Sequence, residues 1–124
     1  MDAEQWKDYT NAELIQAEEA RRAGNEGRAR VCARRAAGHI LDEYSSRKKV
    51  QFPNRSAYLR IKYLAEQPDI TSQVRQILNT LVIRITPGRT LPVDADLIEG
   101  VYKLAIELLG EELQREKDPN TKKG

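Results

Sequence analysis

A chain of 124 residues has the length of one domain and is too short for two independent cores, so every predicted element must share one interior. Hydrophobic residues make up 40% and charged residues 32%, a balance that is typical of a folded helical domain and excludes a disordered chain. Because 21 Lys and Arg residues face 19 Asp and Glu residues, the net charge of +2 gives no global signal for a polyanion partner. Any contact with nucleic acid must therefore be local.

Cysteine and histidine usage limits the chemistry further. Cys32 is the only cysteine and His39 the only histidine, so we expect no intrachain disulfide, no self-contained zinc site and no cofactor. No apolar run approaches the roughly 18 residues that span a bilayer. The acidic opening Met1–Glu4 also lacks the basic-then-apolar order of a secretory signal. We therefore expect a cytoplasmic protein with no membrane contact.

The first predicted helix begins at a capping box. In the segment Thr10–Glu13 the Thr10 hydroxyl would accept from the Glu13 backbone N–H while the Glu13 side chain reaches back. The helix would run to Ala23. Residues 2–9 either form an earlier turn or extend this helix, with Trp6 as an anchor on the bundle. The segment Gly24–Gly27 then supplies the positive-φ positions of a tight reversal.

The second predicted helix runs from Arg28 to about Ser45. Its core-facing stripe consists mostly of alanine. The residues in this stripe are Ala29, Ala33, Ala36, Ala37, Ile40 and Tyr44. Small residues at these positions predict close packing against a neighbouring helix, and Gly38 indicates either a close contact or a tolerated flaw.

A basic loop, Ser45–Pro53, is predicted to follow, because Pro53 disfavours helical geometry at Phe52. Asn54 would cap a third helix that stops before Pro68. A fourth helix is expected from about Ser72 to Ile83, where apolar residues recur at helical spacing.

The last third of the chain is predicted to contain a proline-bounded linker, Thr86–Pro92, and one long helix. Asp94 would cap this helix, which would be the longest of all and end near Arg115. Residues 117–124 contain no apolar side chain and are expected to form a flexible polar tail. The sequence thus predicts an all-α, antiparallel, up-and-down bundle of four to five helices in a single domain, residues 1–116.

The second helix carries the first group of candidate binding residues. A narrow stripe beside the alanine face contains basic and titratable side chains that could hold a phosphate. The stripe consists of Arg28, Cys32, Arg35, His39 and Glu43. Solvated ion pairs at the bundle rim explain the same pattern, and we favour that interpretation. A lone thiol such as Cys32 usually behaves as a small apolar group.

Two further basic groups lie in the predicted loops. Arg47, Lys48, Lys49 and Arg55 surround Phe52, so they could contact phosphates while the ring stacks on a base. Solvated loop charge is the simpler alternative.

In the linker, Arg84 and Arg89 flank a Pro-Gly turn where two guanidinium groups could converge on an anion. Compensation of charge at the end of a helix explains Arg84 equally well. The chain contains no Gly-rich phosphate loop, Ser/His/Asp set, paired catalytic carboxylates or HExxH helix, which argues against an ordinary enzyme.

The segment Gly24–Leu41, GNEGRARVCARRAAGHIL, resembles the second helix of HEPN domains, in which a small-residue turn leads into an alanine-rich helix with an A-x-x-A-A core. The preceding Ala- and Glu-rich helix, the middle helix pair, the TPGRTLP linker and the closing helix extend the resemblance over most of residues 10–115. It implies an antiparallel helical bundle that commonly dimerises and acts in toxin-antitoxin or defence systems, often beside a minimal nucleotidyltransferase.

Active HEPN members cleave RNA with an Arg and a His, separated by four to six residues, near the start of a late helix. The corresponding segment here, Arg84–Leu91, contains no His. Arg34 and His39 match the spacing but lie midway along the second helix, so the catalytic role is not carried over to them. The resemblance therefore implies a module that binds a partner, a nucleotide or RNA without cutting it. A metal-independent ribonuclease using His39 with Arg34 or Arg35, and a purely structural homodimer, remain alternatives.

Overall fold

The computed structural model describes residues 5–53, 56–83 and 96–114, and within these ranges the chain forms five α-helices and no strand. The helices are α1 (Gln5–Arg22), α2 (Glu26–Lys48), α3 (Ala57–Ala65), α4 (Ser72–Leu81) and α5 (Leu97–Leu109). The prediction of an all-α fold is thus confirmed for the described parts of the chain. None of these helices combines the length and apolarity that crossing a bilayer requires.

Helix α1 begins before Thr10, so the prediction that a capping box at Thr10 starts this helix is wrong. Thr10 lies inside the helix, fully buried, and its hydroxyl donates a hydrogen bond of 2.7 Å to the Trp6 carbonyl one turn back. A threonine within a helix commonly bonds this carbonyl, so the Thr-x-x-Glu pattern does not by itself mark a helix start. The alternative that the preceding residues extend the helix is correct, and Trp6 anchors it with only 6% of its surface exposed.

The reversal between α1 and α2 lies where the sequence predicts it. Gly24 has a φ of +79°, in the left-handed region that favours glycine. The Asn25 side chain accepts a 3.0 Å hydrogen bond from the Arg28 N–H, which makes Asn25 the N-cap of α2. Helix α2 consequently begins at Glu26, slightly before the predicted start at Arg28.

Helix α2 is the centre of the bundle and packs against α1, α3 and α5. Its alanine stripe is buried as predicted, with Ala33, Ala36 and Ala37 fully inaccessible. On another side of the helix, a Cβ added to Gly38 would lie only 3.1 Å from the Ala57 Cβ. A close approach of α3 is therefore the reason for glycine at this position.

The end of α2 also differs from the prediction. The helix continues through Lys48, so Ser45–Lys48 is helical and the loop starts only afterwards. Lys49 caps the helix in the left-handed conformation, with a φ of 59°, and the Val50 N–H donates to the Ser45 carbonyl at 3.2 Å. Proline at position 53 is too distant to end the helix at Ser45, and no glycine was needed for the cap.

Helices α3 and α4 form a short connected pair. Ser56 caps α3, whereas the predicted cap, Asn54, lies outside the described residues. The predicted fourth helix is confirmed from Ser72 but ends at Leu81. The Arg75 guanidinium donates to the Ala65 carbonyl at 2.5 Å and to the Gln67 carbonyl at 3.1 Å, so its positive charge compensates the carbonyl end of α3.

Helix α5 is bounded differently at both ends. Asp96 is its N-cap, with a side-chain oxygen 3.1 Å from the Glu99 N–H, in place of Asp94, which the structure does not describe. The helix ends at Leu109 because Gly110 adopts a φ of +68°, so the predicted end near Arg115 is wrong. With 13 residues, α5 is shorter than the 23-residue α2 and is not the longest helix.

Residues 110–114 leave α5 without helical structure, and we call them the C-terminal strap. Leu113 is 2% exposed and belongs to the hydrophobic core, so the strap is packed onto the bundle. The sequence did not predict this segment. The predicted linker at 86–92 and tail at 117–124 lie outside the described residues.

Candidate binding surfaces

The outer side of the α1–α2 pair presents an aromatic contact to solvent. The Tyr9 and His39 rings lie with their centroids 5.4 Å apart and their planes tilted by 39°. Tyr9 is 50% exposed, although it is a large ring, and His39 is half-buried beneath this contact. The start of α1 is thereby joined to the later half of α2.

Arg35 lies one helical turn before His39 on the same side of α2. It is exposed and makes no hydrogen bond or ion pair with any residue that the structure describes. One turn before Arg35, Val31 is 38% exposed. These residues form what we call the hairpin face: Tyr9, Val31, Arg35 and His39. It combines a stacking ring, a guanidinium group without a partner among the described residues, and a small apolar surface.

The other members of the predicted stripe have structural roles in this arrangement. Arg28 is exposed, but its guanidinium donates a 2.8 Å hydrogen bond to the Gln16 side chain across the α1–α2 seam. Cys32 is a fully buried free thiol. Glu43 does not pair with His39. It accepts a 2.8 Å hydrogen bond from Arg47, which lies one turn later in α2.

Arg34, which matches the HEPN-type spacing to His39, points elsewhere. Its guanidinium donates to the Leu81 carbonyl at 3.4 Å, at the end of α4. Five residues along a helix correspond to a rotation of about 140°, so Arg34 and His39 project from different sides of α2. These two residues do not converge on one site, whereas Arg35 and His39 share a side.

Arg47 lies at the opposite end of α2 from Arg28, in a cluster of charges that we call the end cluster. Its Nε and Nη2 atoms contact Glu43 and Glu111 at 2.8 and 2.7 Å. Its Nη1 also donates to the Leu109 carbonyl at 3.3 Å. The second Glu111 oxygen lies 2.8 Å from the Lys7 ammonium group. The strap is therefore held between the start of α1 and the end of α2.

The same cluster surrounds the only tryptophan. The Lys7 ammonium nitrogen lies 5.8 Å from the Trp6 ring centroid and the central guanidinium carbon of Arg47 lies 5.9 Å from it, within cation–π range. The Trp6 indole N–H is buried and has no hydrogen-bond acceptor among the residues that the structure describes. Hydrogen bonds from Lys7 and then from Arg47 hold the pKa of Glu111 below its usual value, while the hydrogen bonds that Arg47 donates to Glu43 and Glu111 raise the pKa of Arg47.

The predicted base-stacking group around Phe52 is only partly described. Lys48 and Lys49 are exposed, but the half-buried Phe52 ring packs edge-on against Tyr63, with the centroids 5.8 Å apart. Arg55 lies outside the described residues, as do the linker candidates Arg84 and Arg89. Among the described members of this group, Phe52 packs on Tyr63 and Arg47 pairs with Glu43 and Glu111, so these described side chains do not form a shared base-stacking site.

No set of three or more His, Cys, Asp and Glu side chains is placed to hold a metal ion in the described parts of the chain. A groove of about 340 Å³ runs along the exposed side of α4. Its lining, as far as the structure describes it, consists of Ser72, Arg75, Gln76, Asn79, Thr80 and Ile83. Arg75 already binds the carbonyl end of α3, so the described lining of the groove offers no free charged group for catalysis.

Sequence reasoning missed Tyr9, Trp6, Lys7 and Glu111 as members of these surfaces. The sequence analysis leaves open whether residues 2–9 extend α1, so it assigns Tyr9 to no helix face. The recurrence of Trp6, Thr10 and Leu14 at helical spacing is a signal that the helix starts earlier. Glu111 gave no such signal, because its partners are distant in the sequence. Comparisons with protein-family models, with curated proteins and with solved structures found no match to this chain.

Proposed function

We propose that this protein is a non-catalytic, HEPN-like binding module with an antiparallel up-and-down bundle, which holds a nucleotide, free or within single-stranded RNA, without cleaving it. On this proposal it forms a homodimer and partners a nucleotidyltransferase in a toxin-antitoxin or defence system. The alanine-rich α1–α2 pair, the central α2 and the order of the five described helices support the family part of the proposal.

The hairpin face is the observation that carries the binding part. Tyr9 offers a half-exposed ring for stacking a base, and aromatic stacking needs no particular base identity. Arg35, with no ion-pair partner among the described residues, is a guanidinium group available to a phosphate oxygen. A ring and a guanidinium on neighbouring turns match the two parts of a nucleotide.

The arrangement around His39 supports binding without cleavage. Its ring packs against Tyr9, and Arg34, the residue with the ribonuclease-type spacing, donates to the Leu81 carbonyl on another side of α2. Arg35 does share a side with His39, which keeps a metal-independent ribonuclease as the second candidate. Cleavage of structured RNA that disappears in His39→Ala would favour that candidate.

A titration of labelled single-stranded RNA followed by fluorescence anisotropy tests the proposal. Tyr9→Ala and Arg35→Gln should each weaken binding, Tyr9→Ala by on the order of tenfold because one stacking contact is lost. Two matched controls remove similar groups elsewhere: Leu59→Ala deletes another exposed apolar side chain, and Arg22→Gln another exposed guanidinium. Wild-type protein that does not bind, or controls that weaken binding equally, would refute the assignment to this face.

The partner part of the proposal has its own tests. Co-purification with a nucleotidyltransferase would support it, and a monomer without partner or nucleotide binding would contradict it. A dimer in sedimentation whose melting temperature no nucleotide shifts would indicate the purely structural homodimer instead.

A further inference from the structure

The C-terminal strap places a carboxylate between two cations that belong to other parts of the chain. Both oxygens of Glu111 are used, one by Lys7 at 2.8 Å and the other by Arg47 at 2.7 Å. Lys7 lies near the start of α1 and Arg47 near the end of α2. Two cations from the bundle therefore meet at this point. Arg47 is also paired with Glu43 at 2.8 Å, and the strap supplies the carboxylate that joins Arg47 to Lys7.

The site is accessible from solvent. The Lys7, Arg47 and Glu111 side chains remain 26%, 36% and 28% exposed. Exposed ion pairs contribute little net stability, so exchange of one anion for another at such a site costs little. The Leu113 side chain, which is 2% exposed, is the main apolar contact of the strap.

The chemistry of the site fits a phosphate group. Arg and Lys bind carboxylate and phosphate oxygens with the same charge-assisted hydrogen bonds, and a phosphate offers more acceptor oxygens and more charge than a carboxylate. Both cations lie within cation–π range of the Trp6 ring, whose buried indole N–H has no acceptor in the described parts of the chain. A phosphate group has enough oxygens to bind both cations at once, as the two Glu111 oxygens do.

We propose that Lys7 and Arg47 form a phosphate-binding site that Glu111 of the C-terminal strap occupies from within, so that the strap competes with the phosphate group of a ligand. The identity of the ligand, a nucleotide or RNA, rests on the proposed function. It adds a second phosphate contact, at the end of α2, to the contact at Arg35, and it makes the strap an autoinhibitory element.

The experiment titrates the full-length chain with inorganic pyrophosphate and follows the fluorescence of Trp6, the only tryptophan. Glu111→Gln should bind pyrophosphate more tightly than wild type, by about tenfold if the wild-type site is open about one tenth of the time. Glu112→Gln is the matched control, since it removes the same charge from an exposed neighbour in the strap and should behave as wild type. Adding Arg47→Gln to Glu111→Gln should abolish the gain.

Equal pyrophosphate affinity of Glu111→Gln and wild type would overturn the proposal, and so would an equal gain in Glu112→Gln. Circular dichroism verifies that each variant is folded, and Glu111→Asp, whose shorter side chain cannot reach both cations, provides a second variant with the same expected direction. If pyrophosphate behaves as expected but RNA does not bind, the phosphate site stands and the proposed function fails. If RNA binds but substitution of Glu111 does not change the pyrophosphate affinity, the proposed function stands and the phosphate site fails.

Discussion

The two halves of this bundle are packed by different means. Between α1 and α2 the contact is made largely by alanine, with Ala17, Ala33 and Ala36 fully buried. Around α4 and α5 the buried side chains are large, and Leu78 and Leu104 are also fully inaccessible. The stability of the α1–α2 half depends on how closely its helices approach each other. The stability of the α4–α5 half depends on how much apolar side-chain volume its helices bury.

This difference predicts opposite sensitivities to substitution. Where alanines meet, additional atoms have no space, because protein interiors are packed as densely as organic crystals. Where leucines meet, removing atoms leaves a cavity that the surroundings only partly fill. A pair of substitutions in opposite directions can therefore show whether the two halves are packed as described.

The largest effect is expected for Leu104→Ala in α5. Leu104 is fully buried, so its truncation should lower the free energy of unfolding by about 2–5 kcal/mol through lost burial and the cavity left behind. Urea denaturation followed by circular dichroism measures the change. A loss below about 1 kcal/mol would indicate that the leucine half is loosely packed.

The converse substitution, Ala33→Leu in α2, is expected to cost about 1–3 kcal/mol through overpacking. Ala33 is fully buried, so a larger side chain must force the helices apart. Ala12→Leu is the control, because Ala12 is exposed on α1 and the same change adds its atoms to solvent. If Ala33→Leu is as well tolerated as Ala12→Leu, close approach is not what holds this pair of helices together.

A smaller effect is expected where the two halves are joined by charge. Asp96 caps α5 and also contacts the Arg21 guanidinium of α1 at 3.1 Å. Asp96→Ala should cost about 1 kcal/mol, as is typical for loss of an N-cap. Asp96→Asn keeps the capping oxygen and should therefore lose less stability than Asp96→Ala. The two variants thus separate the contribution of the cap from that of the ion pair.

The contribution of Asp96 should depend on pH. Burial alone would raise the pKa of Asp96, but the hydrogen bond from Glu99 and the contact with Arg21 outweigh it and hold the pKa below its usual value. A lowered pKa in the folded state gives stability that is complete above the unfolded pKa of about 4 and is lost as the pH falls through the folded value. The stability difference between wild type and Asp96→Asn should therefore shrink in acid, and a difference that grows there would contradict this.

Local signals predicted much of the fold and little of the binding surfaces. The reversal at Gly24, the alanine stripe of α2 and helix α4 all follow from patterns within a few residues of one another, and the structure confirms them. The stop of α5 at Gly110 could also have been predicted, since glycine commonly follows the last residue of a helix.

The end cluster could not be predicted in this way. Arg47 and Glu111 are far apart in the sequence, and nothing local to either residue indicates that a strap brings them together. The Tyr9–His39 contact likewise depends on how α1 and α2 are aligned along each other. Caps and hydrophobic periodicity determine where each helix begins and ends, whereas these surfaces depend on how the helices pack against one another.

Nucleotide binding without cleavage at the hairpin face is the function that we propose. The most direct measurement incubates end-labelled single-stranded RNA with excess protein and examines the mixture by native and by denaturing electrophoresis. We expect a retarded complex on the native gel, lost in a Tyr9→Ala, Arg35→Gln double variant, and intact RNA on the denaturing gel. Shortened RNA with the wild type but not with His39→Ala, or the absence of a retarded complex, would refute binding without cleavage at this face.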